Sequence, residues 1–177
     1  NTDSGIALDN GAQILNKVVS GSASGNLVLT GSTNSTIRAG IALIKASIEN
    51  TSNGGGVQVT AAKGDIRAIS SEASITNAGT GSVALSAGPA SASDSGAIEG
   101  TKLKINQNGN GGVIVTTTGT GNVIAPTIIN AGTGSVTLAA GTQLAAGDGT
   151  GGQVKTVSGN TISQTNATPS KTFIYTG

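Results

Sequence analysis

The sequence contains no cysteine, methionine, tryptophan or histidine, and its 177 residues include one phenylalanine and one tyrosine. Without cysteine or histidine there is no thiolate nucleophile and no imidazole base. The main body also has no aromatic platform for sugar rings. The eight acidic residues are isolated in sequence, although folding could bring Asp65 and Asp94 together as a carboxylate pair. We therefore expect no enzymatic activity, no cofactor, no metal site and no small-molecule substrate.

Charge is also scarce, at 10% of the residues with a formal net charge of +1. The nine lysines and arginines occur singly between Lys17 and Lys171. Binding to the phosphates of DNA or RNA needs several cations on one face, so we expect no nucleic-acid partner.

The absence of cysteine has two interpretations. One is a reducing cytosol, and the other is an exported protein that must stay free of cross-links while it crosses membranes. The longest apolar run, Ile41–Ile44, is far too short to span a bilayer. Because the same low-complexity style continues to both ends, we expect a segment of a longer protein.

What the sequence does contain is glycine, with 29 residues, and many short runs of β-type residues. Within these runs apolar residues alternate with polar or small ones, and Gly, Asn, Ser and Thr bracket nearly every run. Alternation with a period of two predicts strands with one buried face, and the bracketing residues favour turns. The alternating apolar pairs are Leu27/Leu29, Val57/Val59, Val83/Leu85, Leu103/Ile105, Val113/Val115 and Val136/Leu138.

A repeat indicates how these strands are arranged. The segment NAGTGSV occurs at Asn77–Val83 and again at Asn130–Val136. Separations of 26, 30 and 23 residues divide the first valines of four strong strands, and weaker strands lie between them. These valines are Val57, Val83, Val113 and Val136.

Irregular units of this length, each with two or three short strands, predict an all-β solenoid. We expect a parallel β-helix with coils of roughly 20–30 residues, in which Asn or Thr at the corners form hydrogen bonds along the axis. Coils averaging near 20 residues would number roughly eight or nine. The alternative is an antiparallel β-sandwich, whose turns would recur every 8 to 12 residues or so.

The repeats resemble those of a known family. NAGTGSVTLAAG, GNLVLTG and AAKGDIRAIS are similar to repeats of the filamentous haemagglutinin and high-molecular-weight adhesin type of bacterial exoprotein, over roughly Gly21 to Gly159. The resemblance implies a right-handed parallel β-helix and export by two-partner secretion through an outer-membrane transporter. It also implies a secreted or cell-surface location. Since the chain shows no match to the secretion domain of that family, the resemblance implies an interior stretch of shaft.

The last residues differ in character from the repeats. QTNATPS resembles a linker, and KTFIYTG contains the only two aromatic residues, Phe173 and Tyr175. We expect residues 1–159 to form the β-helical segment. Residues 160–177 are then a linker and the start of a following module or a terminal strand.

These observations favour a structural shaft in an adhesin that attaches to cells or surfaces. One alternative is a direct binding surface for glycans or host proteins, around Lys102 and Lys104 or around Tyr175. Another is a β-helix that cleaves polysaccharides. Asn34, Asn50 and Asn166 lie in glycosylation acceptor sequences and are possible sites of modification.

Overall fold

The structure is a computed structural model that describes residues 4–17, 25–32, 39–88, 96–118, 120–141, 152–166 and 171–176. In these ranges all regular elements are β-strands, and they form three sheets of six strands each. Sheet A consists of β1 (Ser4–Leu8), β4 (Ala39–Leu43), β7 (Asp65–Arg67), β10 (Ile98–Glu99), β13 (Val123–Ile124) and β16 (Val154–Lys155). Sheet B consists of β2 (Gln13–Asn16), β5 (Ser47–Asn50), β8 (Ala73–Asn77), β11 (Leu103–Gln107), β14 (Thr127–Asn130) and β17 (Ile162–Gln164). Sheet C consists of β3 (Leu27–Ser32), β6 (Val57–Lys63), β9 (Val83–Ala87), β12 (Val113–Thr117), β15 (Val136–Ala140) and β18 (Thr172–Thr176).

The chain visits the sheets in the order A, B, C and then returns to A. Each circuit is one coil, so coil 1 is β1–β3 and coil 6 is β16–β18. Every strand pairs in parallel with the equivalent strand of the next coil. This confirms the parallel β-solenoid and excludes the antiparallel sandwich.

The recurring valines occupy one position of the coil. Val57 pairs with Val83, Val83 with Val113 and Val113 with Val136, so the spacing of 26, 30 and 23 residues is the length of three successive coils. The expected total of eight or nine coils is wrong, because the structure has six. Several corners are longer than the strands suggest, and equivalent residues of the outer coils, such as Asn16 and Asn50, are 34 positions apart.

The interior is built of apolar columns, since alternate residues of every strand face inward. In sheet B the inward column is entirely isoleucine, a β-branched residue that suits the pleated strand. Fully burying one such side chain contributes about 2–3 kcal/mol relative to leaving it exposed. The column consists of Ile14, Ile48, Ile75, Ile105, Ile128 and Ile162.

A second inward column, here called the amide ladder, marks the corner between sheets B and C. Asn50 Nδ2 donates to Asn77 Oδ1 over 2.7 Å, and Asn77 Nδ2 donates to Gln107 Oε1 over 2.9 Å. This confirms that corner side chains form hydrogen bonds along the axis, and it satisfies polar groups that would be costly to bury alone. The ladder consists of Asn16, Asn50, Asn77, Gln107, Asn130 and Gln164.

Glycines follow the amide ladder at the same corner, where neighbouring coils approach closely. A Cβ on Gly79 would overlap the carbonyl oxygen of Gly55, and one on Gly109 would overlap that of Gly79. The repeat NAGTGSV therefore has a physical reason at each fixed position. Its asparagine joins the ladder, its first glycine permits the close approach and its valine enters the core.

Residues beyond 159 continue the coils where they are described. β17 pairs with β14, and β18 pairs with β15, so both strands extend the existing sheets. The boundary at residue 160 and the assignment of a separate module stay predictions. None of the helical segments needed for a membrane span is found in the described ranges, where no helix is long and apolar enough.

Candidate functional site

An open groove of about 870 Å³ runs along the outside of sheet B, beside the corner that joins sheet A to sheet B. All six coils contribute to it, from Gly11 and Gln13 in coil 1 to Asn160 in coil 6. Five steps between coils correspond to about 24 Å along the axis at roughly 4.8 Å per step. The groove therefore has the length and openness to take an extended ligand lying parallel to the axis.

Three exposed lysines line this groove, namely Lys45, Lys102 and Lys104. Lys104 lies on β11 at an outward position, while Lys45 and Lys102 lie in the corners of coils 2 and 4. Glu72, in the corner of coil 3, is the acidic residue among the lining residues. The positive charge that is dispersed in the sequence is thus locally concentrated by the coiling, and the groove favours an anionic ligand.

The backbone around these lysines is fixed. Lys45 has a φ of 51°, a conformation that side-chain-bearing residues adopt only when their surroundings hold them there. At the other end, Asn160 Nδ2 donates to Ala125 O over 2.9 Å and to Thr101 O over 3.3 Å. Thr127 Oγ1 donates to Asn160 Oδ1 over 3.3 Å, so this side chain ties coils 4, 5 and 6 together beneath the groove.

The floor of the groove is polar. Its outward residues on sheet B are hydroxyl or amide side chains together with Lys104, and successive members pair in register. Such groups exchange hydrogen bonds with sugar hydroxyls as readily as with water. The column consists of Gln13, Ser47, Ser74, Lys104 and Thr127.

The structure places the sequence-derived candidates in different settings. Lys102 and Lys104 meet at the groove, whereas Tyr175 lies far away on β18, with its ring stacked on Phe173 at a centroid separation of 6.2 Å. Asp65 is buried, and its Oδ1 accepts a hydrogen bond of 2.7 Å from the Ala97 N–H. Asp94 lies outside the described residues, so the carboxylate pair stays a prediction.

The three glycosylation sequons also differ. Asn50 is fully buried in the amide ladder, where its Nδ2 donates to Asn77. Asn166 is partly exposed at the end of coil 6, and Asn34 lies outside the described residues. Among the residues that the structure describes, no three His, Cys, Asp or Glu side chains are grouped so as to hold a metal ion.

Two surface features were not found from the sequence. Lys45 joins the groove although it lies far from Lys102 in the chain, and only the coil length could have revealed this. A hydroxyl column also crosses the outside of sheet C, although Thr-x-Thr does not recur in the sequence. That column consists of Thr30, Thr60, Ser86 and Thr116.

Comparison of the chain with protein-family models, with curated proteins and with solved structures gives no match. The candidate site is therefore defined by its own geometry.

Proposed function

We propose that this chain is a structural part of the shaft of a large secreted or surface-anchored bacterial adhesin, which supports attachment to cells or surfaces. The observation that carries the proposal is the continuity of the interior. The same apolar columns and the same amide ladder pass through all six coils without a boundary between them. Coils that contact mainly their neighbours can be added without changing the rest, which suits a rod.

The resemblance to filamentous haemagglutinin-type exoproteins supports the same proposal. The repeat letters that carry it are those with fixed physical roles at the corner, namely the ladder asparagine, the crowded glycine and the core valine. We propose a right-handed helix, because connections between parallel strands of one sheet are almost always right-handed. Passage of the unfolded chain through an outer-membrane transporter suits a sequence without cysteine.

The experiment that tests the shaft removes one coil between register partners. Gln107 pairs with Asn130, so deletion of residues 108–130 joins Gln107 to Ala131 and leaves an intact corner. A shaft should keep cooperative unfolding and full attachment of the exoprotein, and it should shorten by about 5 Å. Loss of attachment with folding retained would oppose the proposal.

A matched control deletes residues 108–133 and is three residues longer. It leaves two residues between Gln107 and Val136, where the native corner has five between Asn130 and Val136. The corner cannot close over so short a segment, and this variant should not fold cooperatively. Equal behaviour of the two deletions would show that register is unimportant, against the proposed construction.

The three groove lysines favour a second candidate function, the binding of an acidic glycan. A linear polymer along the axis would place carboxylate or sulfate groups near Lys45, Lys102 and Lys104 and hydroxyls over the polar floor. The test is binding to an immobilised uronic-acid polysaccharide by the Lys102→Gln/Lys104→Gln double variant. Its matched control is Lys63→Gln/Lys155→Gln, which removes two exposed lysines outside the groove lining. Binding should fall only in the first variant, and an equal fall in both would reduce the attraction to net charge.

A further inference from the structure

The two ends of the coil stack leave the core partly uncovered. In coil 1 the inward residues Ile6, Ile14 and Leu29 are only partly buried, whereas their counterparts in coils 2 to 5 are buried. In coil 6 Val154 and Ile162 are likewise partly buried. We call the exposed side of coil 1 the N-terminal face and that of coil 6 the C-terminal face. Within the described residues, each strand of these two coils pairs with another strand on one side only.

The strand β18 is an unusual edge for a soluble protein. Its residues Thr172–Thr176 are all exposed, and they include neither a charged residue nor a proline. Its pairing with β15 runs without a bulge, so the edge is straight. Charges, prolines and bulges are the usual means of preventing strand addition, and an edge without them is a template for another strand.

The two faces match column by column. The inward column of sheet C that contains Val59 and Leu85 begins with Leu29 and ends with Ile174, which is 55% exposed. In sheet B the isoleucine column begins with Ile14 and ends with Ile162. A coil placed after coil 6 with the geometry of coil 1 would therefore meet apolar side chains with apolar side chains.

The polar groups match as well. In the amide ladder Asn16 donates to Asn50, Asn50 to Asn77 and Asn77 to Gln107, so donors point toward the C-terminal face. The same polarity would direct Gln164 of one chain at Asn16 of the next. The corner glycine of coil 1, Gly25, has no crowding around its added Cβ, whereas the equivalent Gly55 would overlap Gly25 O. Gly25 thus keeps the close approach open on the N-terminal face.

We propose that the C-terminal face binds the N-terminal face of a second copy of this chain, head to tail. The contact repeats the parallel coil-to-coil packing that occurs five times inside the molecule. Because the two faces are different surfaces, the contact is heterologous, and successive copies form an open-ended filament. This inference goes beyond the shaft function and does not depend on it.

The test measures the mass of the 177-residue chain by sedimentation velocity over a range of concentrations. The native chain should grow in mass without stopping at a dimer, and electron microscopy should show filaments one solenoid wide. Ile174→Lys places a charge on the C-terminal face and should abolish association. Its matched control is Tyr175→Lys on the same strand, where the side chain is 53% exposed but points away from the interior, and association should persist.

A second pair of variants establishes the direction of the contact. Gly25→Ala adds a methyl group to the N-terminal face and should also give a monomer. When Gly25→Ala and Ile174→Lys are mixed, each supplies the face that the other lacks, so they should form a one-to-one dimer that grows no further. Circular dichroism of each variant verifies that the fold is intact. A native chain that stays monomeric, or a Gly25→Ala variant that dimerises alone, would overturn the proposal.

Discussion

Asn50 Nδ2 lies 2.7 Å from Asn77 Oδ1, and this buried hydrogen bond joins residues that are 27 positions apart in the chain. It is one step of a ladder in which every coil presents Asn or Gln at the same inward corner. An amide is both a donor and an acceptor, so the same residue type can repeat from coil to coil with its hydrogen bonds satisfied. The ladder therefore fixes the register at a place where apolar packing alone would allow sliding.

Replacement of Asn77 by alanine should strongly destabilise the fold. Asn77 accepts from Asn50 and donates to Gln107 and to Gly81 O, so its loss leaves several buried polar groups without partners. At about 1–3 kcal/mol for each unsatisfied group, we expect a loss of at least about 3 kcal/mol. The measurement is the free energy of unfolding in denaturant.

Asn106→Ala is the control for this substitution. Asn106 is only partly buried, and its amide makes one long hydrogen bond of 3.4 Å to Thr76 Oγ1. Its replacement should change the unfolding free energy by less than about 1 kcal/mol. Equal losses for the two variants would show that the ladder has no special role.

Gly79→Ala should be destabilising for a steric reason alone. Its new Cβ would overlap Gly55 O and crowd Ser52 O, and forced overpacking costs about 1–3 kcal/mol or more. Gly25 occupies the equivalent corner of coil 1, where an added Cβ meets only Asn16 Nδ2 at 3.9 Å. We therefore expect the melting temperature to fall for Gly79→Ala and to stay nearly unchanged for Gly25→Ala. A fall of the same size in both would contradict the crowding seen at this corner.

The sequon at Asn50 should be modified only before folding. Its Nδ2 is buried and already donates to Asn77, so a transferase cannot reach it in the folded chain. Mass spectrometry after treatment of folded and of unfolded chain with the same transferase distinguishes the two states. Modification of Asn50 at equal rates in both would mean that the corner opens readily.

The ion pair between Arg67 and Glu99 should contribute little. Arg67 Nε lies 2.5 Å from Glu99 Oε2 on the outside of sheet A, and both side chains are partly exposed to water. Glu99→Gln should therefore lower the unfolding free energy by less than about 1 kcal/mol, and high salt should reduce the difference further. A larger loss that persists at high salt would point to a role beyond surface electrostatics.

Alternation and repetition were sufficient to predict the strands, their inward residues and the parallel stacking. Val57, Val83, Val113 and Val136 could be aligned because each follows a glycine-rich corner of nearly constant length. The number of coils could not be predicted, since the other corners vary in length and carry no periodic signal. The groove was missed for the same reason. Lys45 and Lys102 become neighbours along the axis only when the lengths of coils 2 and 3 are known.

The most direct test of the parallel coil stack is a set of distances between spin labels on one outward column of sheet C. Val28, Thr137 and Phe173 belong to this column, in coils 1, 5 and 6. Because the chain has no native cysteine, pairs of cysteines can be introduced and labelled for pulsed electron paramagnetic resonance. Four and five steps of roughly 4.8 Å predict about 19 Å for Val28 to Thr137 and about 24 Å for Val28 to Phe173, beyond the length of the labels. A shorter distance to Phe173 than to Thr137 would mean that the last strand folds back, and it would contradict the stacked coil.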